Sequence, residues 1–476
     1  MQFQDALGEW SVRPGPLYVR LAAAIGEAIG RGDMAPGTAL PPERSLARRL
    51  AIGRTTVTSA YAQLRQEELV ESRQGSGTWV GGATRNASGE APRDSLPGAA
   101  LRDAATFIDL ATAALPAPAR MRALIAALAT GDAAAVLESP GYLPGGLPEL
   151  RHALAGRLTA QGLPTSADQV LVTTGGQQAV SLLCAHALRP GDAAVVEDPT
   201  SPGILDVLHG LPVVIRTAKP VTCGYDDVVR VAMGCQARLA YLIPTLGPHG
   251  RVLGHADRSH LARALAGGSL LAVDDISQAG LTFEPSPPPL AACARAANLI
   301  TVGSLTKLHW GGLRLGWIRG PASLIASLTR DKVRADLGTP VLDQLLAVRL
   351  LENEDQIRAE RLATLRACLQ HAETLLPRVL PDFSWQPPDG GLNLWLHLPA
   401  GTASAFTEVA ARLGVAVVPA ALLSHQGSSD DHIRLVYARP PDVFDEGIRR
   451  LAAAWEHYRR AADSTAYSAH LAPILI

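Results

Sequence analysis

Gly303-Ser304-Leu305-Thr306-Lys307, followed by Gly312-Leu313-Arg314-Leu315-Gly316-Trp317, is the stretch on which the reading of this chain turns. It places one lysine behind two hydroxyls and sets an arginine seven residues further on. Lysine is scarce here: Lys219, Lys307 and Lys332 are the only three, and every other cationic side chain is arginine. A lysine inside so particular a setting reads as chemistry rather than as solvated surface charge. Around it the chain alternates helical periods with short apolar runs. The runs are Val170-Leu171-Val172, Ala193–Val196, Leu239–Ile243, Leu270–Val273 and Leu299–Val302. That alternation predicts a mostly parallel sheet with helices on both faces, and residues 340–460 read as a smaller α+β unit.

Composition sets the outer bounds. The 476 residues suffice for two or three domains, and 47% apolar residues make the chain globular rather than disordered. A net charge of −1 excludes a global field that would draw nucleic acid, so any DNA contact must come from a local patch. The five cysteines, Cys184, Cys223, Cys235, Cys293 and Cys368, form no C-x-x-C pair. They read as small buried hydrophobes, not as a disulfide or zinc framework, and no metal site is expected. Asp5 and Glu9 interrupt any signal-like N-terminal pattern, and no uncharged apolar run reaches membrane-spanning length. A cytoplasmic protein without membrane contact is expected.

The N-terminal region is a different object. Leu17 to Ile29 has apolar residues at helical spacing and ends at Gly30-Arg31-Gly32. Pro41-Pro42 opens a second helix with Glu43 in its first turn, where a carboxylate suits the helix dipole. Gly53 separates a third helix, about Arg54 to Glu67. Strands at Leu69–Ser72 and Thr78–Val80 flank Gln74-Gly75-Ser76-Gly77. Three helices and a hairpin make a winged helix-turn-helix. Its third helix would enter the major groove with Arg54, Thr55 and Thr56 leading, a guanidinium for guanine and hydroxyls for phosphates or base edges. Arg44 opens the second helix within reach of a phosphate or base, and Gly77 lets the wing backbone approach DNA. Over about 65 residues this stretch resembles the GntR family of bacterial regulators. The domain is expected at 13–81, followed at 82–105 by a flexible linker rich in Gly, Ala, Ser, Arg and Pro.

From 106 to 461 the chain resembles fold-type-I aminotransferases, α/β proteins that hold pyridoxal 5'-phosphate. The large part is expected at about 145–335, the small part at 106–144 and 336–461, and a tail at 462–476. The resemblance gives each residue type a reason. The cofactor needs a lysine amine for its Schiff base, and Lys307 fits. It needs an anion beside the pyridine nitrogen. Asp274, at the end of an apolar strand, is the first choice and Asp275 the competing one. The phosphate needs N–H donors at a helix start, which Gly175, Gly176 and Gln177 can supply, with Ser304, Thr306 and Arg314 completing the cup. Tyr142 matches the family tyrosine that reaches the partner subunit's phosphate, and Arg434 matches the arginine that grips a substrate α-carboxylate.

A GntR reader fused to an aminotransferase-like domain resembles the MocR subfamily, usually head-to-tail homodimers. This implies a transcription regulator that binds promoter DNA and senses an amine, an amino acid or a B6 vitamer. A working aminotransferase with a DNA-binding appendage is the alternative. Three departures favour the regulator. Gly247 stands where the family has an asparagine bonding the cofactor's phenolic oxygen. Ile276 stands where related regulators have a tyrosine serving the same oxygen, and Ser201 where an aromatic ring commonly stacks. Each lost hydrogen bond to a charged oxygen costs about 1.5–3 kcal/mol, and lost stacking adds roughly 0.5–1.5 kcal/mol. His249 or Thr245 nearby would be the substitutes.

Overall fold

The structure, a computed structural model, describes residues 10, 16–30, 40–50, 52–66, 69–73, 77–80, 107–130 and 133–471. The chain divides into two compact units, 1–95 and 96–476. The linker expected at 82–105 lies outside the described residues.

In the first unit, helices Leu17–Gly30, Glu43–Arg49 and Arg54–Gln66 precede an antiparallel pair, Val70–Arg73 with Gly77–Val80. Helical spacing gathers Leu21 and Ile25 of the first helix, Leu46 of the second and Val57, Tyr61 and Leu64 of the third into one core. All six are almost wholly buried, each contributing roughly 1.5–3 kcal/mol by removal from water. Leu40 N donates to Thr78 O at 2.8 Å, and Tyr61 Oη donates to Pro41 O at 2.8 Å. These bonds tie the start of the second helix to the hairpin and to the third helix.

The second unit is built on a seven-stranded sheet. Its order is Val170–Thr173, Gly316–Arg319, Leu299–Ser304, Leu271–Asp275, Leu239–Leu242, Ala193–Glu197, Val214–Ala218. Gly316–Arg319 runs antiparallel to both neighbours, and the other pairings are parallel. The five expected strands are all present. The two the sequence reading missed are Val214–Ala218, at the edge, and Gly316–Arg319, which hides inside the lysine motif. One face of the sheet packs against Gly175–Ala187 and Pro202–His209. The other packs against Pro148–Ala160, His255–Leu265 and Val341–Glu352. A second sheet, Ser384–Trp385, Asn393–His397, His432–Val436, Val418–Pro419, shares a core with helices Glu354–Val379, Ala403–Arg412 and Pro441–Leu471.

Two boundaries differ from expectation. Met121, Leu128 and Leu345–Leu350 pack into the core beneath the large sheet, so the small part takes over only near Leu362. The last helix runs to Leu471, past the boundary at 461. Cys223 is exposed on a short surface helix rather than buried, and all five cysteines are free. Among the described residues no helix is long and apolar enough to cross a membrane.

Candidate functional site

Lys307 follows the strand Leu299–Ser304 in a turn whose far end returns as Gly316–Arg319, with Gly316 opposite Ser304. Hydroxyls pin that turn. Ser304 Oγ and Thr306 Oγ1 are 2.8 Å apart, Thr306 N donates to Ser304 Oγ at 3.2 Å, and Ser304 Oγ donates to Leu315 O at 3.2 Å. The lysine is thereby aimed into a cavity of about 410 Å³, lined among others by Thr306, Lys307, Arg314, Asp275, Gly247 and Arg434. Its Nζ donates to Ala113 O at 2.8 Å. Burial, then the nearby Arg434 and Arg314, bring its pKa down to about 8, against the opposing pull of Asp275. An amine in that state is within reach of its neutral, nucleophilic form near neutral pH.

The cationic end of the cavity is tightly built. The helix Gly175–Ala187 starts at Thr174, which provides no side-chain cap, so its first N–H groups keep their donors. Gly175 sits at φ +81°, and a Cβ there would stand 2.9 Å from Arg314 Nη2. Arg314 itself adopts φ +48° to lay its guanidinium over the helix start. Behind this turn Gln178 Oε1 accepts from Thr174 N at 2.8 Å and from Lys332 Nζ at 2.9 Å. Lys332 is fully buried and bonded to Asp336. A Cβ on Gly176 would lie 3.6 Å from Ser277 Oγ, so Ser277 also faces this corner. The side chain of Gln177 is bonded elsewhere, its Nε2 donating to Gly203 O at 2.8 Å, so only its backbone N–H at the helix start can serve this corner.

Strand alternation decides between the two aspartates. Asp274, the first choice from sequence, points to the opposite face. Its Oδ2 accepts from Leu290 N at 2.7 Å and stands 4.0 Å from Arg258 Nη1, and burial pushes its pKa up to about 6. Asp275 lines the cavity, with Oδ1 accepting from Ser277 N at 2.8 Å and Oδ2 accepting from Tyr241 Oη. The same alternation turns Ile276 into the core behind the sheet, leaving Ser277 and Gln278 on the cavity side. Ile276 therefore does not occupy the phenolic-oxygen position expected of it. Gly247 and Ser201 do line the cavity. Neither proposed substitute faces it. Thr245 Oγ1 accepts from Arg258 at 2.7 Å, and His249 meets Trp395 edge-on at 4.8 Å between ring centroids.

Opposite Lys307, Arg434 Nη2 donates to Ala111 O at 2.8 Å. Its Nε, Asn393 Oδ1 and Thr200 Oγ1 are buried without a hydrogen-bond partner, and all three residues line the cavity. Such polar atoms are rarely left unpaired in a dry interior, so they are placed to receive a polar ligand. Asn393, Thr200 and Ser277 escaped the sequence reading. The one usable signal was Gly390-Gly391-Leu392-Asn393, a turn feeding the strand that pairs with Arg434's. Tyr142 is 70% exposed and outside the cavity of its own chain.

These residues fit pyridoxal phosphate: a depressed lysine amine, a carboxylate across from it, and a helix start under an arginine matched to an anion. In the N-terminal unit, Arg54 and Thr55 are exposed and Thr56 is half-buried at the start of the third helix, while Gly77 opens the second strand of the wing. The side chain of Arg44 lies outside the described residues.

A winged helix followed by this lysine-centred α/β unit defines a regulator fused to an aminotransferase fold. The chain belongs to the aminotransferase class I and II family, whose model matches residues 106–451, and residues 17–80 match the gntR family of bacterial regulatory proteins. An uncharacterized HTH-type transcriptional regulator of Bacillus subtilis, YisV, is 28% identical, over 89% of this chain and 92% of that protein. The HTH-type transcriptional regulator TauR of Rhodobacter capsulatus is 26% identical, over 92% of this chain and 96% of its own. Among solved structures, LysN, the α-aminoadipate aminotransferase of Thermus thermophilus complexed with N-(5'-phosphopyridoxyl)-L-leucine, superposes with a TM-score of 0.68. It is 26% identical, and the match spans 77% of this chain and 95% of that one.

Proposed function

We propose that the protein is a DNA-binding transcription regulator of the MocR type that holds pyridoxal phosphate on Lys307 and senses an amine, an amino acid or the vitamer itself. The observation that carries this reading is the cavity that gathers Lys307, Asp275, Arg314 and the Gly175 helix start in a chain that also carries a winged helix. When bound, the cofactor supplies an electrophilic carbon for amines and a ring that withdraws electrons from them. The chain's own residues do the rest. Lys307 provides the amine that anchors it. Asp275, rather than Asp274, keeps the pyridine nitrogen protonated. Gly175, Gly176, Ser277, Thr306 and Arg314 hold the phosphate. Arg434 and Asn393 orient an α-carboxylate, with Thr200 adding a hydroxyl. Two chains would assemble head-to-tail as a homodimer, each lending its exposed Tyr142 to the partner's phosphate.

DNA is read by the first unit, with Arg54, Thr55 and Thr56 in the major groove, Arg44 on backbone or base, and Gly77 in the wing. Ligand docking on Arg434 would favour one arrangement of the aminotransferase-like unit, and the 82–105 linker would pass the change to the spacing of the two winged helices. Borohydride reduction of the cofactor-loaded protein followed by peptide mapping tests the anchor. The label is expected on Lys307. A protein that stays colourless with added pyridoxal phosphate contradicts the reading.

A further inference from the structure

A second cavity, of about 480 Å³, lies beside the first and shares with it Ile243, Gly247 and Pro248 as a common wall, but it does not contain Lys307. Its size is that of a small-molecule site. At its base stands Asp198, 94% buried. Asp198 Oδ2 accepts from Ser428 Oγ, and Oδ1 is buried against the cavity with no hydrogen-bond donor. His249 stands beside it with Nε2 also unpartnered, and burial lowers that imidazole's pKa to about 4, so it carries no charge near neutral pH. Asp226 and Asp257 lie at the mouth.

The cations around this cavity are already engaged. Arg251 reaches Pro387 O at 3.1 Å and Asp389 at 3.5 Å, and His260 is 2.9 Å from Asp226. Between the two acidic ends the walls are mostly apolar, Val221, Val252, Leu253, Pro220 and Pro248, and the buried Glu197 among them is already bonded to Ile243 N at 3.0 Å and to Tyr225. A ligand for such a space must bring hydrogen-bond donors to both ends and methylenes to the middle. It must not bring a carboxylate, which would face Asp198 or the mouth acids at high cost in a partly dry site. Ammonium groups are pure donors.

We propose that this second cavity binds an aliphatic diamine, one ammonium on Asp198 and the other toward Asp226 and Asp257. The site is independent of any cofactor on Lys307. Calorimetric titration of the full chain with 1,4-diaminobutane, butylamine and ornithine tests it. The diamine is expected to bind once per chain, at least tenfold tighter than butylamine or ornithine, and more weakly as salt rises. Asp198→Asn should lose at least tenfold in diamine affinity. Asp257→Asn, on an exposed helix position, should weaken the diamine two- to fivefold and leave butylamine unchanged. Lys307→Ala should bind the diamine as the parent does. No heat with the diamine, equal affinity for diamine and monoamine, or loss of binding in Lys307→Ala would each overturn the proposal. The last would move the ligand into the first cavity.

Discussion

The two ends of the Lys307 cavity are built to different standards. At the proposed phosphate end, every element is doubly constrained. Gly175 holds φ +81° directly beneath Arg314, Ser304 and Thr306 lock the lysine turn, and the buried Lys332–Gln178 network holds the helix start. At the proposed ring end, Gly247 and Ser201 offer no side-chain amide and no aromatic face, and Ile276 is turned into the core. The difference teaches that anchoring and tuning are separable. Covalent and phosphate contacts hold a cofactor in place, whereas contacts to the phenolic oxygen and ring face set how readily it exchanges protons and amines.

The contrast can be broken most severely at the anchor. Lys307→Ala should abolish the covalent attachment altogether, read as loss of the visible band and of the reduced label. The two neighbouring aspartates should then separate cleanly. Asp274→Ala removes the partner of a buried guanidinium and should cost about 3–5 kcal/mol of folding stability in chemical denaturation. Asp275→Ala should leave stability much less affected and weaken cofactor binding by about 1.5–3 kcal/mol, roughly ten- to a hundredfold in Kd. If Asp274→Ala weakens the cofactor more than Asp275→Ala does, the assignment of the ring-nitrogen partner is wrong.

In the other unit, Arg54→Ala should cost about 1–3 kcal/mol in operator binding and relax specificity at one position, measured by fluorescence anisotropy at fixed salt. The smallest effect concerns pH. A base whose pKa is lowered is neutral above the lowered value, so the Lys307 amine becomes reactive above about 8 instead of above 10.5. The rate of cofactor loading onto apoprotein should rise with pH through a midpoint near 8 and level off above it. A midpoint near 10 would mean that the lysine is not held in the buried, arginine-flanked setting described.

Much of this was legible in the sequence because it depends on local pattern. The three helices and wing follow from periodicity and turn residues, and the lysine turn follows from Ser304, Thr306 and Arg314 at fixed spacing. What escaped depends on side-chain direction. In Val273-Asp274-Asp275-Ile276, one residue of strand phase exchanges a cavity carboxylate for a core one and sends the isoleucine inward. The side-chain bond of Gln177 to Gly203 O, 26 residues away in the chain, was equally invisible to local pattern. Asn393 and Thr200 belong to the site only because the second sheet and the Asp198–Ser201 turn converge on Lys307, which no short motif encodes.

Retained anchoring with lost tuning is tested most directly by single-turnover conversion of the bound cofactor to pyridoxamine phosphate, followed by absorbance with a panel of amino acids. Spectral changes are expected as amines bind, with slow or absent conversion. Complete conversion within seconds with a common amino acid would contradict it.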